Sequence, residues 1–132
     1  MNADETRMER LWLAHGGTTS RIIGAAFEVH NTLGDGLLEK VYRRAMQVEL
    51  IERSSKVKME IPIKVLYKQS VVGDHYADLF VDGCVIVEIK LAKCYDPEDE
   101  AQLPNELKAT GVKVGVLVNF GRDRVEDKRM VL

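Results

Sequence analysis

The chain is poor in the residues that build scaffolds without a hydrophobic core. Its 132 residues include only two cysteines, three prolines and one tryptophan. Cys84 and Cys94 form no CxxC pair, and too few Cys and His residues lie close together for a zinc site, so a disulfide framework and a zinc fold are excluded. Both thiols are read as reduced, as in the cytosol. No apolar run approaches the ~20 residues that span a bilayer. The first ten residues set Asp4, Glu5 and Glu9 beside Arg7 and Arg10 and lack the apolar centre of a signal peptide. The expected location is therefore cytoplasmic, with no membrane partner. An excess of one charge is also missing. With 19 Lys and Arg against 21 Asp and Glu, the formal charge of −2 argues against gripping nucleic acid by bulk positive charge, though it leaves room for a local basic groove.

What is present is the make-up of one globular domain: 45% apolar and 30% charged residues. Residues 1–17 read as a flexible leader in which only Leu11, Trp12 and Leu13 suit docking, and a single domain is expected over 18–132. Thr18-Thr19-Ser20 offers N-cap hydroxyls to a first helix that carries Ile22, Ala26, Val29 and His30 and stops at Gly34. Asp35 can cap a second helix over 36–53, with Leu38, Val41, Ala45 and Val48 as its apolar stripe, widened by Tyr42 and Met46. From Val57 to Lys90 the period becomes two, which predicts a meander of strands broken at Ser70, Gly73-Asp74 and Asp82-Gly83. Asp96-Pro97 opens a third helix that stops at Gly111, a strand follows over 112–120, and 129–132 forms a short edge strand.

The chemistry-bearing stretch runs from Tyr76 to Lys90. On the strand that follows the turn, Cys84, Ile86, Glu88 and Lys90 share one face, and that face passes from apolar to charged. The turn decides where Asp78 points. A two-residue Asp82-Gly83 loop would aim it away from Glu88. A three-residue loop with Gly83 in the left-handed position pairs Phe80 with Cys84 and sets Asp78 diagonal to Glu88, so an odd loop or a bulge is expected. Two converging carboxylates beside a lysine suit a hard cation such as Mg²⁺ that keeps waters and bridges to phosphate. The same spacing also fits a surface hairpin with a Glu88–Lys90 ion pair.

The order Asp78, Glu88-Ile89-Lys90, with a helix before and a helix–strand unit after, resembles the core of the PD-(D/E)XK nuclease superfamily. Gly36-Leu-Leu-Glu39-Lys-Val-Tyr42 is similar to the signature of the GxxExxY family. The likeness extends through Glu28-Val-His30, Leu33-Gly34, Ala77-Asp78-Leu79, Ala101-Gln102-Leu103, Leu107-Lys108-Ala-Thr-Gly111 and Val118-Asn119-Phe120-Gly121. This resemblance implies a restriction-endonuclease-like α/β fold, a mixed sheet flanked by helices, with a metal-dependent phosphodiesterase site. It implies that Asp78, Glu88 and the Ile89 carbonyl ligate Mg²⁺ or Mn²⁺, with Glu39 as an additional acid. Lys90 would act at the scissile phosphate, and Gln102 would hold a water or a phosphate oxygen. Read from the helix alone, Glu39 is a surface acid paired with Arg43, worth about a few tenths of a kcal/mol. Tyr42 can orient Glu39 or belong to the core, and His30 reads as a packing or capping residue.

Two positions depart from the family. Pro104 falls inside the third helix, where it removes a hydrogen bond at a cost of ~3 kcal/mol; it either alters the aim of Gln102 or moves the helix start to about Leu103. Asp99 stands where relatives often carry His. The expected function is a Mg²⁺-dependent nuclease that hydrolyses phosphodiester bonds with a metal-activated water; the alternative is a catalytically silent nuclease-fold module that binds nucleic acid or a protein. Arg43, Arg44, Lys64, Lys68, Lys93 and Lys108 are the candidates for a basic path to the site. A chain of this size holds little beyond a catalytic core, so recognition would come from a homodimer or another partner.

Overall fold

Helix spacing builds the first layer. The computed structural model describes residues 15–94 and 97–132, together with Arg7 and Arg10. The expected docking of Leu11, Trp12 and Leu13, the Asp96 cap and the side chain of Asp99 lie outside the described residues. Helix α1, Gly16–Leu33, buries Ile22, Ala25, Ala26, Val29 and His30, and ends at Gly34 as its sequence predicts. It begins before the expected Thr18 start because the threonine hydroxyls are used elsewhere. Thr18 donates to Asp82 Oδ2 at 2.7 Å, and Thr19 donates back to the His15 carbonyl at 3.2 Å.

Helix α2, Glu39–Glu52, is shorter than the expected 36–53, and Asp35 does not cap it. Asp35 instead meets the Lys93 ammonium at 2.9 Å. The buried line of α2 is Tyr42, Met46 and Leu50, while Leu38, Val41 and Val48 of the expected stripe are exposed. Both lines are apolar and lie one residue apart around the helix, so spacing alone could not choose between them. The aromatic partner chose: Tyr42 stacks on Phe120 with ring centres 4.6 Å apart.

Strands β1, Val57–Tyr67, β2, Ser70–Val81, and β3, Val85–Lys90, form the meander. Helix α3, Pro97–Thr110, crosses over to β4, Val114–Asn119, and β5, Glu126–Val131, closes the sheet. The five-stranded sheet has the order β1-β2-β3-β4-β5. Only β3 and β4 run parallel, joined by the crossover through α3. Helices α1 and α2 cover one face over a core that includes Leu79, Val81, Val87, Val116 and Val118. Helix α3 covers the other with Leu103 and Leu107 against Ile63, Ala77 and Ile86. This is the mixed, helix-flanked sheet that the sequence implied. The β1–β2 turn falls at Lys68-Gln69, both with positive φ (47° and 70°), so Gly73-Asp74 lies inside β2 and marks no break. Strand β5 is longer than the expected 129–132. Among the described residues, no helix is long and apolar enough to cross a membrane.

The β2–β3 loop has the odd length that the site requires. Val81 pairs with Val85, leaving Asp82, Gly83 and Cys84 between them, with Gly83 at φ 67°. The register differs from the expected one, since Phe80 faces Ile86 and not Cys84. Including Cys84 in the loop moves the pairing by two residues and so preserves the face of every side chain. Asp82 pins this loop to the rest of the molecule. Its carboxylate accepts from Thr18, from Arg21 at 2.6 Å and from the Lys56 N–H at 2.8 Å. Burial pushes the Asp82 carboxyl up, but the Thr18 hydroxyl, the Lys56 N–H and the Arg21 guanidinium together hold it down to about 2.

Candidate active site

Strands β2 and β3 pair as far as Leu79 and Val87, and then the ladder stops. Continued by one step, it would set Asp78 directly opposite Glu88. Side chains take over there instead. The Asp78 N–H donates to Glu88 Oε1 at 3.2 Å, and the Ile89 N–H donates to Asp78 Oδ2 at 2.8 Å. The two carboxylates thus stand in for the carbonyls of a regular ladder, and the strands carry them into the interior, with Asp78 8% and Glu88 2% exposed.

A kink in β1 assists. Glu60 has a φ of 54°, a conformation that costs a non-glycine residue about 1–3 kcal/mol. Met59 and Ile61, two residues apart, consequently pack into opposite cores, as do their partners Leu79 and Ala77. Asp78 lies at this change of face. It therefore reaches Arg43 on α2, with Nη1 3.2 Å from Oδ1, while Arg43 also meets Glu60 at 3.4 Å. Arg43 is thus tied to an acid of the site and leaves the set of basic-path candidates.

Lys90 ends β3, and its Nζ donates to Gln102 Oε1 at 2.8 Å. Helix α3 starts at Pro97 and not near Leu103, so Pro104 sits inside it, and Gln102 nevertheless reaches the lysine. The segment after β3 is clamped from β4. Asn119 accepts from the Ala92 N–H and donates to the Ala92 carbonyl, at 3.0 and 2.9 Å. A Cβ on Gly121 would come within 2.7 Å of the Ala92 nitrogen, so only glycine lets the two backbones approach this closely. The Asn119-Phe120-Gly121 run therefore holds the end of the strand that bears Lys90.

The structure brings together Asp78, Glu88, Ile89, Lys90 and Gln102. Glu39 is exposed in the first turn of α2, four residues before Arg43 and so on the same helix face. Tyr42 does not orient it through its hydroxyl: that group donates to the Gly34 carbonyl at 2.6 Å and accepts from the Leu37 N–H at 3.3 Å. Tyr42 is a core residue that ties down the α1–α2 loop. His30 packs, as expected, with its Nε2 2.9 Å from the Arg122 carbonyl and its ring stacked on Phe120.

One residue of the cluster went unread in the sequence. Glu106 on α3 is wholly buried, and His75 Nε2 stands 3.5 Å from its Oε2. Neither Glu106 oxygen has a hydrogen-bond partner of good geometry. Ionised, Glu88 and Glu106 are both acceptors and repel; one proton between them turns that repulsion into a hydrogen bond. Burial first, then Glu106 and Asp78, push the Glu88 carboxyl well above the usual carboxylate range. Burial also raises Glu106, against the opposing pull of Glu88, His75 and Lys90. The available signal was the Leu103, Glu106, Leu107 spacing, which places an acid within an apolar stripe. Among the described residues, no three His, Cys, Asp or Glu side chains are arranged to enclose a metal.

The chain matches the family model of the PD-(D/E)XK nuclease superfamily over residues 17–130 and belongs to that superfamily. No match was found among curated proteins. Two solved structures are similar in fold, each at 17% identity over 70% of this chain. One is the crystal structure of SSO0001, with a TM-score of 0.54 and 48% of its chain covered. The other is an alkaline exonuclease, LHK-Exo, from Laribacter hongkongensis, with a TM-score of 0.50 and 54% covered. The chain spans about half the length of these structures.

Proposed function

We propose that this domain, over residues 18–132, is a metal-dependent nuclease that hydrolyses phosphodiester bonds in nucleic acid. The observation that carries the reading is the pair of buried carboxylates, Asp78 and Glu88, that replaces the β2–β3 ladder beside a lysine held by Gln102. Burying acids at the centre of a sheet destabilises the fold, which makes the pair hard to explain as scaffold. Superfamily membership and the fold it shares with an exonuclease support the same reading.

The donor set is all oxygen: two carboxylates and the Ile89 carbonyl. It fits a hard ion such as Mg²⁺ or Mn²⁺, which binds through one or two carboxylates and keeps several waters. The orphaned oxygens of Glu106 beside Glu88 are a further sign that the pocket is short of positive charge. Asp78, Glu88 and Ile89 would hold the ion, with Glu39 approaching from α2. The ion would supply Lewis acidity and a water of lowered pKa. Lys90 presents its ammonium to the phosphate oxygens that gain charge, and Gln102 fixes the direction of that ammonium. The Gly36 to Tyr42 signature supports placement in the GxxExxY family, and Tyr42 gives it a structural reason by bonding Gly34.

The Arg43–Asp78 ion pair favours a second reading, a silent module in which an arginine stands in for the metal. One assay separates the two. With Mg²⁺ or Mn²⁺, the chain is expected to cleave single- or double-stranded DNA or RNA. Asp78→Asn and Lys90→Ala are expected to lower the rate by at least about a hundredfold without a matching loss of melting temperature. Absence of cleavage on every substrate would leave the silent module, and cleavage indifferent to both substitutions would defeat the assignment of Asp78 and Lys90 to the chemistry.

A further inference from the structure

Outside the carboxylate cluster, the most distinctive surface is a groove between the β1–β2 hairpin and α3. Strand β3 pairs only with residues 79–81 of β2, so the hairpin beyond projects as a two-stranded arm over α3. The groove encloses about 690 Å³ and is lined by Lys64, Val65 and Leu66 of β1, His75 of β2, and Asn105 and Lys108 of α3. None of its lining residues is acidic, in a chain where acids outnumber Lys and Arg. His75, one of its lining residues, meets the buried Glu106, whose carboxyl lies against Glu88. The groove therefore lies on the α3 side of the carboxylate cluster, with His75 and the buried Glu106 between it and Glu88.

We infer that this groove is the binding path for a single nucleic-acid strand, with Lys64 and Lys108 on the phosphates, Asn105 as a polar contact, and Val65 and Leu66 against the bases. The inference rests on the nuclease reading for its choice of ligand. Charge complementarity selects a polyanion, and the apolar wall selects one with flat unpaired bases.

The experiment is a fluorescence-anisotropy titration of a labelled single-stranded oligonucleotide, and of the matching duplex, with the full chain carrying Asp78→Asn to prevent cleavage. Adding Lys64→Gln and Lys108→Gln together should weaken single-strand binding by about tenfold or more at low salt. It should also reduce the slope of log affinity against log salt by about 1.4, the value for two lost phosphate contacts. Both lysines are exposed, so the melting curve should not move. An unchanged affinity and slope, or tighter binding of the duplex with the same lysine dependence, would overturn the groove assignment. The two readings fail separately. If the otherwise native chain cleaves the strand with Mn²⁺ while the lysine changes leave binding untouched, the groove falls and the nuclease stands. If the lysine changes weaken binding but no cleavage occurs with any metal, the groove stands and the nuclease falls.

Discussion

Glu106 shows what the site asks of single residues. A carboxyl with no exposure, no partner of good geometry and a second buried acid beside it destabilises the fold it belongs to. A buried polar group left without its hydrogen bonds costs the fold about 1–3 kcal/mol, which an apolar side chain of similar size avoids. Glu106→Leu is therefore expected to raise the melting temperature by several degrees, read by circular dichroism without metal. A lowered melting temperature would mean that the proton shared with Glu88 holds α3 to the sheet, and would defeat the view of Glu106 as a functional liability. Asp78, Glu88, Lys90 and Gln102 were legible in the sequence because short-range spacing and a family motif place them. Glu106 was not, because its meaning depends on which face of α3 meets the sheet. Arg43 was read through its helical neighbour Glu39, while the structure also joins it to Asp78, 35 residues away, and to Glu60.

At the scale of elements, the turns and helix ends carry the testable consequences. The depressed carboxyl of Asp82 contributes stability that is present above its unfolded value of 3.8 and is lost as pH falls toward about 2. Glu88 and Glu106 are raised, so below about 4.5 they are protonated in both the folded and unfolded chain and stay out of that window. Melting temperature should thus fall between pH 4 and 2 in the native chain and fall much less in Asp82→Asn; parallel curves would remove Asp82 as the anchor of the β2–β3 loop. Pro104 lies inside α3 without breaking it. Pro104→Ala should stabilise by up to about 3 kcal/mol, seen as a higher midpoint in urea, with the Lys90–Gln102 contact and any cleavage preserved. A loss of stability would show instead that the proline sets the path of the helix. Loop parity was legible at this scale because β side chains alternate. The buried face of α2 was not, because two apolar lines compete on one helix and only Phe120 decides between them.

For the whole molecule, divalent cations offer a readout that does not depend on turnover. A ligand that binds only the folded chain stabilises it, by about 2.7 kcal/mol at a hundredfold excess over its dissociation constant. Mg²⁺ or Mn²⁺ should raise the melting temperature of the native chain and leave Asp78→Asn where it was; equal shifts in both would place the binding elsewhere. The near-neutral charge acquires a distribution at this scale, with acids gathered between β2 and β3 and lysines along the groove under the hairpin arm. The sequence by itself determined the element types, through periodicity and turn chemistry, and its resemblance to the PD-(D/E)XK superfamily implied the mixed-sheet class and the succession Asp78, Glu88, Lys90, Gln102. Only the tertiary structure decided that the ladder opens at Asp78 and Glu88, that Arg43 and Glu106 close on them from α2 and α3, and that a groove bearing Lys64 and Lys108 lies beside α3. Those contacts join residues far apart in the chain, and their geometry depends on how whole elements pack.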